Sequence, residues 1–351
     1  MDWMLYGANG YTGELIAREA RNQGKSPILA GRSKAKITVL RDELQLPARV
    51  FSLDAPAAID EGLRGVSLVL NCAGPFSKTA EPMMRACIAA RVHYLDITGE
   101  IDVFECAHRL DADAKAAGVV LCPGVGFDVV PTDCIALMLK RALPEATELA
   151  LGFAMTGRNM SKGTAKTLVE GLGKSGKVRR EGKLSDLPFG RGVRRIDFGR
   201  GETPAMPIPW GDVSTAYYTT GIPNITVYTP ISPASVAVSR LTGAIAPLFR
   251  SAGIQDWLKS WVEKKVHGPN ATIRGTNKCW VWGEAVDANG QRKTIRIVTL
   301  EGYSLTVAAA LAVAKHVLAQ ECPPGFWTPA ALMGDDFILT LPKTSMLTSL
   351  Q

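Results

Sequence analysis

Three glycines spaced three apart, Gly7, Gly10 and Gly13, stand where an apolar run, Trp3–Tyr6, gives way to a helical pattern, Glu14–Ala20. A strand that turns sharply into a helix favours glycine at its strained position. Bare backbone there lets a pyrophosphate come close, and the helix end offers free N–H groups and the positive pole of its dipole. On this reading Gly7, Asn9, Gly10, Tyr11, Thr12 and Gly13 cradle the phosphates of a dinucleotide. The spacing is G-x-x-G-x-x-G rather than G-x-G-x-x-G, and the chain holds 34 glycines, so the loop alone also fits an ordinary strand–helix turn.

A second apolar run, Pro27–Ala30, leads straight into Gly31, Arg32 and Ser33. An NAD site carries a carboxylate at this point for the ribose 2′-hydroxyl, whereas an arginine accommodates the 2′-phosphate of NADP. Arg32 therefore points to NADP(H), the alternative being a solvated surface arginine. Ser33 either adds a hydroxyl to the same phosphate or caps the helix beginning near Lys34.

Three further loops follow apolar runs. Asn71-Cys-Ala-Gly-Pro-Phe76 ends the fourth run. Its small residues let backbone touch a cofactor, which makes Asn71, Ala73, Gly74, Pro75 and Phe76 cofactor candidates, with Pro75 and Phe76 as a wall for the nicotinamide. Cys72 reads as a packed thiol, because no base accompanies it. The loop after His93–Leu95 places Asp96, Thr98 and Glu100 at the same edge. Thr98 is a cofactor candidate, and Asp96 or Thr98 alternatively caps the next helix. Cys122–Asp133 is a glycine-rich crossing into a helix, capped by Thr132 or Asp128, and marks the domain hinge. No proton donor is assignable from these residues. None of the four histidines lies in a glycine-rich loop, and Gly173-Lys174-Ser175 lacks the upstream glycine of a P-loop.

The elements that would position these loops alternate regularly. Apolar runs at 3–6, 27–30, 49–53, 66–72, 92–97 and 118–122 have helical stretches between them, which predicts a Rossmann-type doubly wound parallel sheet over residues 1–130. The pattern then changes. Helices are expected at 131–143, 233–250, 255–266 and 305–320, and strands at 148–155 and 224–228. A hairpin is expected around Asn289-Gly290. Together these give a second, α+β domain over 131–302 with a mixed or antiparallel sheet, which would bind substrate and mediate dimerisation. The segment 303–351 is expected to pack back on the first domain.

A length of 351 residues, 46% hydrophobic and 21% charged, describes a globular protein of two domains. No basic, apolar leader precedes the first strand, and the apolar stretch Val307–Ala314 is short for a membrane span. Seven cysteines form no C-x-x-C pair and no metal-like spacing with histidine. A cytoplasmic, metal-free protein with reduced thiols is expected. Residues 161–200 hold eleven Lys/Arg against four Asp/Glu, which accounts for the whole net charge of +7. An acidic partner could dock there, with charge reversal at Arg179, Arg180 and Arg194 as the test, or the segment is a solvated face. It holds only Phe189 and Phe198 as aromatics, so nucleic acid is not expected.

Taken together, Gly7–Gly13, Ala30–Ser33, Asn71–Phe76, Asp96–Glu100 and Gly126–Asp133 resemble the saccharopine dehydrogenase-like oxidoreductases. The likeness is to the bacterial branch that includes trans-acting enoyl reductases. Gly211–Tyr217, Gly221–Asn224, Glu301–Tyr303 and Gly325–Pro329 extend the resemblance over nearly the whole chain. It implies an NADP-binding Rossmann domain, a substrate domain inserted before a returning C-terminal segment, and hydride transfer to C=C or C=N of a small or carrier-bound substrate. The basic and polar residues with which saccharopine enzymes hold dicarboxylate amino acids have no match here. A non-catalytic NADP-binding scaffold or sensor at an anionic membrane or partner surface is the alternative.

Overall fold

The computed structural model describes residues 2–157, 161–171, 176–188, 190–232, 251–266, 268–320 and 322–348. The chain divides into two compact units: Met1–Val130 with Tyr303–Met333, and Pro131–Gly302 with Gly334–Gln351.

The first unit contains β1 (Trp3–Tyr6), β2 (Ile28–Gly31), β3 (Ala48–Val50), β4 (Leu68–Asn71), β5 (His93–Asp96) and β6 (Val120–Cys122), with helices between successive strands. They pair in the order β3-β2-β1-β4-β5-β6, and Gly325–Phe326 from late in the chain adds to β6. Every pairing is parallel. The strand order reverses between β1 and β4, the switch point where doubly wound sheets open a crevice for ligands. Crossover helices cover both faces of such a sheet, and every residue of β1, β2 and β4 is buried accordingly. One half of the core joins Met4, Tyr6, Val69, Tyr94 and Leu121 of the strands to Met83, Met84 and Cys87 of helix Phe76–Ala90.

Among the described residues one helix, Gly302–Ala319, has the length and apolarity of a membrane span, 18 residues with a mean hydropathy of 1.4. Its Leu305, Ala309, Ala310, Val313 and Val317 are buried, as in a core helix that is apolar on most sides. Thr306 Oγ1 accepts the Phe127 N–H (3.0 Å) and so ties it to the loop after β6.

The second unit carries β7 (Ala146–Met155), β8 (Gly176–Arg180), β9 (Lys183–Leu187), β10 (Arg194–Asp197), β11 (Glu202–Ile208), β12 (Asn224–Pro230), β13 (Lys278–Asp287) and β14 (Arg292–Leu300). The sheet runs β10-β11-β12-β7-β13-β14, with Ser345–Thr348 on the β14 edge and the β8–β9 hairpin on β12. The β12–β7 pairing is parallel and its neighbours are antiparallel, so the sheet is mixed. Gly283 lets helix Val130–Ala142 lie close on one face, since a Cβ there would collide with Ile135 and come within 2.9 Å of Leu139 Cδ1. On the other face Phe198, Tyr228 and Trp282 cluster, and the Arg194 guanidinium stacks 4.8 Å over Trp282.

Two expectations change. The tail does not pack wholly on the first unit, because Ser345–Thr348 finds its open edge on β14. Helices Lys162–Gly171 and Asp212–Thr220 stand where no helix was expected. Val213, Thr215, Tyr217, Tyr218, Thr219 and Thr220 favour strands intrinsically, but burial of Val213, Ser214, Thr215, Ala216 and Thr220 decides for a helix. The helix expected at 233–250 and the Gly173–Ser175 segment lie outside the described residues.

Candidate functional site

The turn after β1 needs its glycines. Gly7 lies at φ +80°, and a Cβ there would come 2.7 Å from Ala73 N and 2.8 Å from the Cys72 carbonyl carbon. The turns after β1 and β4 thus meet through bare backbone. A Cβ on Gly13 would collide with the Gly7 oxygen. Gly10 N donates to Gly7 O (2.9 Å) and Glu14 N to Gly10 O (2.8 Å). Helix Tyr11–Asn22 therefore starts at the turn, without a side-chain cap, and its first N–H groups are directed to the strand ends. The half-buried Thr12 sits in this first turn, and the neighbouring Tyr11 ring meets Tyr303 edge-on at 4.9 Å.

The selectivity segment lies beside it. Gly7 N and Ala8 N both donate to Ala30 O (2.8 and 3.1 Å), and a Cβ on Gly31 would meet Asn9 Oδ1 at 2.8 Å. Arg32 is exposed, and no carboxylate among the described residues holds its guanidinium. Ser33 stands at the N-cap of helix Lys34–Leu44 but makes no capping bond, so its hydroxyl remains available to a ligand. A cradle that a single Cβ would fill, beside an uncommitted arginine and serine, fits a dinucleotide carrying a 2′-phosphate.

A buried polar chain holds the next loops. Asn71 Nδ2 donates to Tyr94 Oη (3.2 Å), and Asn71 Oδ1 accepts from Ala73 N (3.0 Å). The Tyr94 hydroxyl donates to Asp96 Oδ2 (2.8 Å), while Asp96 Oδ1 accepts from Thr98 N and Gly124 N (2.9 Å each). Thr98 Oγ1 accepts from Glu100 N (3.0 Å). Glu100 then caps helix Phe76–Ala90 from outside, accepting from Phe76 N (3.0 Å) and Ser77 N (2.7 Å). Pro75 precedes that helix and has no side chain to cap it, so Glu100 replaces the missing cap.

This chain involves two of the cofactor candidates, Asn71 and Thr98. Asn71 and Thr98 are fully buried with their polar groups satisfied internally. They shape the loops from within. Ala73, Gly74, Pro75 and Phe76 keep exposed surface beside the glycine turn. Asp96 is likewise buried, with desolvation raising its carboxyl to about 6 despite three hydrogen-bond donors. Burial, then the Asp96 charge, pushes the Cys72 thiol well up, which disfavours the thiolate a nucleophile needs.

The residue that sequence reasoning assigned only to helix capping is Asp128. Its carboxylate lies over Gly99, where a Cβ would meet Asp128 Oδ2 at 2.9 Å. It is half-buried. Desolvation and the neighbouring Glu100 charge raise its carboxyl to about 7. A carboxyl that keeps its proton near neutrality, at the strand edge that carries the glycine turn, can serve as a general acid.

The basic segment is largely committed to the fold. Arg179 is buried, donating to Val213 O and Gly182 O (2.8 Å each), and stacks on Tyr217. Arg194 pairs with Glu284 (3.0 Å), Lys177 with Asp186 (2.6 Å) and Arg195 with Glu202 (2.9 Å). Charge reversal at Arg179 or Arg194 would therefore disrupt the second unit rather than report on docking, and only Arg180 of the three is a usable probe. Among the described residues no group of His, Cys, Asp and Glu could hold a metal ion.

The fold and cradle define a doubly wound dinucleotide-binding protein with a second, mixed-sheet unit. Residues 3–122 match the family model of the saccharopine dehydrogenase NADP binding domain. A saccharopine dehydrogenase-like oxidoreductase of Rattus norvegicus is 30% identical over 210 residues, 52% of this chain and 49% of that protein. A trans-acting enoyl reductase of Mycobacterium ulcerans is 31% identical over 160 residues, 42% of this chain and 38% of the relative. The matched region is thus about half, or less, of these relatives' length. Saccharopine dehydrogenase (L-Glu forming) from Saccharomyces cerevisiae shares the fold, with a TM-score of 0.66 at 11% identity over 99% of this chain and 100% of that one.

Proposed function

We propose that the protein is an NADPH-dependent reductase acting on a C=C or C=N bond of a small or carrier-bound substrate. The observation that carries this reading is the Gly7–Gly13 turn beside the exposed Arg32, on the strand edge that also bears the Asp128 carboxyl, raised to about 7. Bound NADPH supplies the hydride. Gly7, Gly10 and Gly13 admit its pyrophosphate to bare backbone, Asn9, Tyr11 and Thr12 line the turn, and Arg32 and Ser33 hold its 2′-phosphate. Ala73, Gly74, Pro75 and Phe76 flank the cleft. That hydride would be taken up by the electron-poor carbon, and Asp128 would deliver its proton to the other atom of the double bond. Glu100 keeps that proton on Asp128 through its own charge. The enoyl reductase relative favours C=C, and a carrier-bound substrate rests on the same relative, with Arg180, Lys183 and Arg191 among the exposed cations of the described residues that could meet an acidic partner.

Titration with NADPH and NADH tests the cofactor assignment. Arg32→Ala should lower NADPH affinity roughly tenfold or more, the loss of one charge-assisted hydrogen bond, and leave NADH affinity unchanged. Equal affinity of the wild type for both cofactors, or an unchanged NADPH affinity in Arg32→Ala, overturns the assignment. NADPH oxidation in the presence of enoyl thioesters or cyclic imines tests the reaction itself, and no turnover with either class removes it.

A further inference from the structure

Helix Ala252–Lys265 of the second unit has one face bound and one face bare. Leu258 and Val262, with Val266 just beyond, pack on Ala165 and Val169 of helix Lys162–Gly171. Gln255 Nε2 adds a hydrogen bond to Val169 O (2.9 Å). The opposite face carries Trp257 and Trp261, one helical turn apart. They are the largest exposed apolar side chains among the described residues, at 66% and 51% exposure. Lys264 and Lys265 follow on the same side, exposed and with no carboxylate partner among the described residues.

We infer that this helix lies in the surface of an anionic phospholipid bilayer and docks the second unit there. Two tryptophans are costly to leave in water, and a pure protein–protein patch does not call for lysines beside them. An indole ring with one polar N–H suits the boundary between headgroup and acyl chain. Lysine stems extend along that boundary and carry the ammonium groups to the phosphates. The helix's buried face holds it parallel to the unit's surface, so both tryptophans can enter together without the helix detaching. The attraction is therefore part apolar and part salt-screened. Each lysine contributes roughly a fivefold gain in binding to an anionic surface.

The test is co-sedimentation of the whole chain with phosphatidylcholine vesicles, with and without equimolar phosphatidylglycerol. Binding is expected to the anionic vesicles only, and to fall in high salt. Trp257→Ser with Trp261→Ser should abolish it. Lys264→Glu with Lys265→Glu should weaken it more than tenfold. NADPH affinity, a property of the first unit, should stay unchanged in both variants, and a second-unit transition at the wild-type temperature in calorimetry shows that they are folded. Quenching of tryptophan emission by bromine-labelled lipid should be lost in the double Trp variant. Absence of vesicle binding by the wild type overturns the inference. So does a double Trp variant that still binds, or one whose only change is conversion of a dimer to a monomer, which would assign the patch to a second copy of the chain.

Discussion

A carboxyl group donates a proton only if it still holds one at the working pH, and an ordinary aspartate does not. Asp128 is shifted toward the protonated form by two features acting together: partial burial against Gly99 and the Glu100 charge, which its two backbone donors hold in place. Neither is visible in the string Gly126-Phe-Asp-Val, where Asp128 looks like a helix cap. With the carboxyl raised to about 7, the donor form is lost as pH rises through that value, so kcat/KM should decline on the alkaline side of about 7. The folded state binds the Asp128 proton more tightly than the unfolded chain, whose aspartate titrates near ~4. Its contribution to stability is therefore complete below ~4 and fades as pH rises to about 7. Asp128→Asn should cut turnover by about a hundredfold or more while sparing NADPH affinity. Glu100→Gln should move the alkaline decline to lower pH, since it removes the like charge. A profile unmoved in Glu100→Gln, or full activity in Asp128→Asn, would exclude this donor. The place of Arg32 just after β2 was legible from sequence for the opposite reason: it depends on one local strand–helix unit.

At the scale of elements, the glycine turn was readable because its requirement is steric and local. The loops after β4 and β5 were readable only as places. Asn71 and Thr98 looked like ligand contacts by residue type, yet their partners are Tyr94, Ala73, Asp96 and Glu100, which only the assembled sheet brings near. The turn gives a sharp comparison between two glycines of the same unit. At Gly13 a Cβ would strike backbone, the Gly7 oxygen and, at 3.0 Å, Ala8 Cα. Neither can swing away as a side chain could, so Gly13→Ala should destabilise by about 1–3 kcal/mol and lower NADPH affinity at least tenfold by distorting the cradle. Gly24 also has a left-handed backbone, at φ +69°, but nothing lies within 4 Å of an added Cβ. Gly24→Ala should cost only the ~1–2 kcal/mol of that backbone conformation and leave NADPH affinity untouched. Isothermal titration and urea unfolding of both variants check this, and equal loss of affinity in the two would remove the steric account of the turn.

For the whole molecule, the decisive feature is that the chain passes between units more than once. The first unit takes Tyr303–Met333 from beyond the second, and the second takes Gly334–Gln351. The return of a late segment could be expected from sequence; the point where it divides could not, because it depends on which sheet edge is open to Ser345–Thr348. Buried Leu305, Ala309, Ala310 and Val313 then belong to the first unit's core, as Phe337 and Ile338 belong to the second. Removing a buried side chain of Leu, Ile or Phe size costs about 2–5 kcal/mol, against a total stability of about 5–15 kcal/mol for a domain. A chain ending at residue 302 should therefore lose NADPH binding although it retains every residue of the proposed cradle. A chain ending at residue 333 should keep it, with a less stable second unit. In calorimetry of the longer fragment, NADPH at a hundred times its Kd should stabilise the first unit's transition by about 2.7 kcal/mol and leave the other in place. If the chain ending at 302 binds NADPH as the full protein does, the late segment is not part of the first unit's core, and the cradle is a self-contained product of residues 1–130.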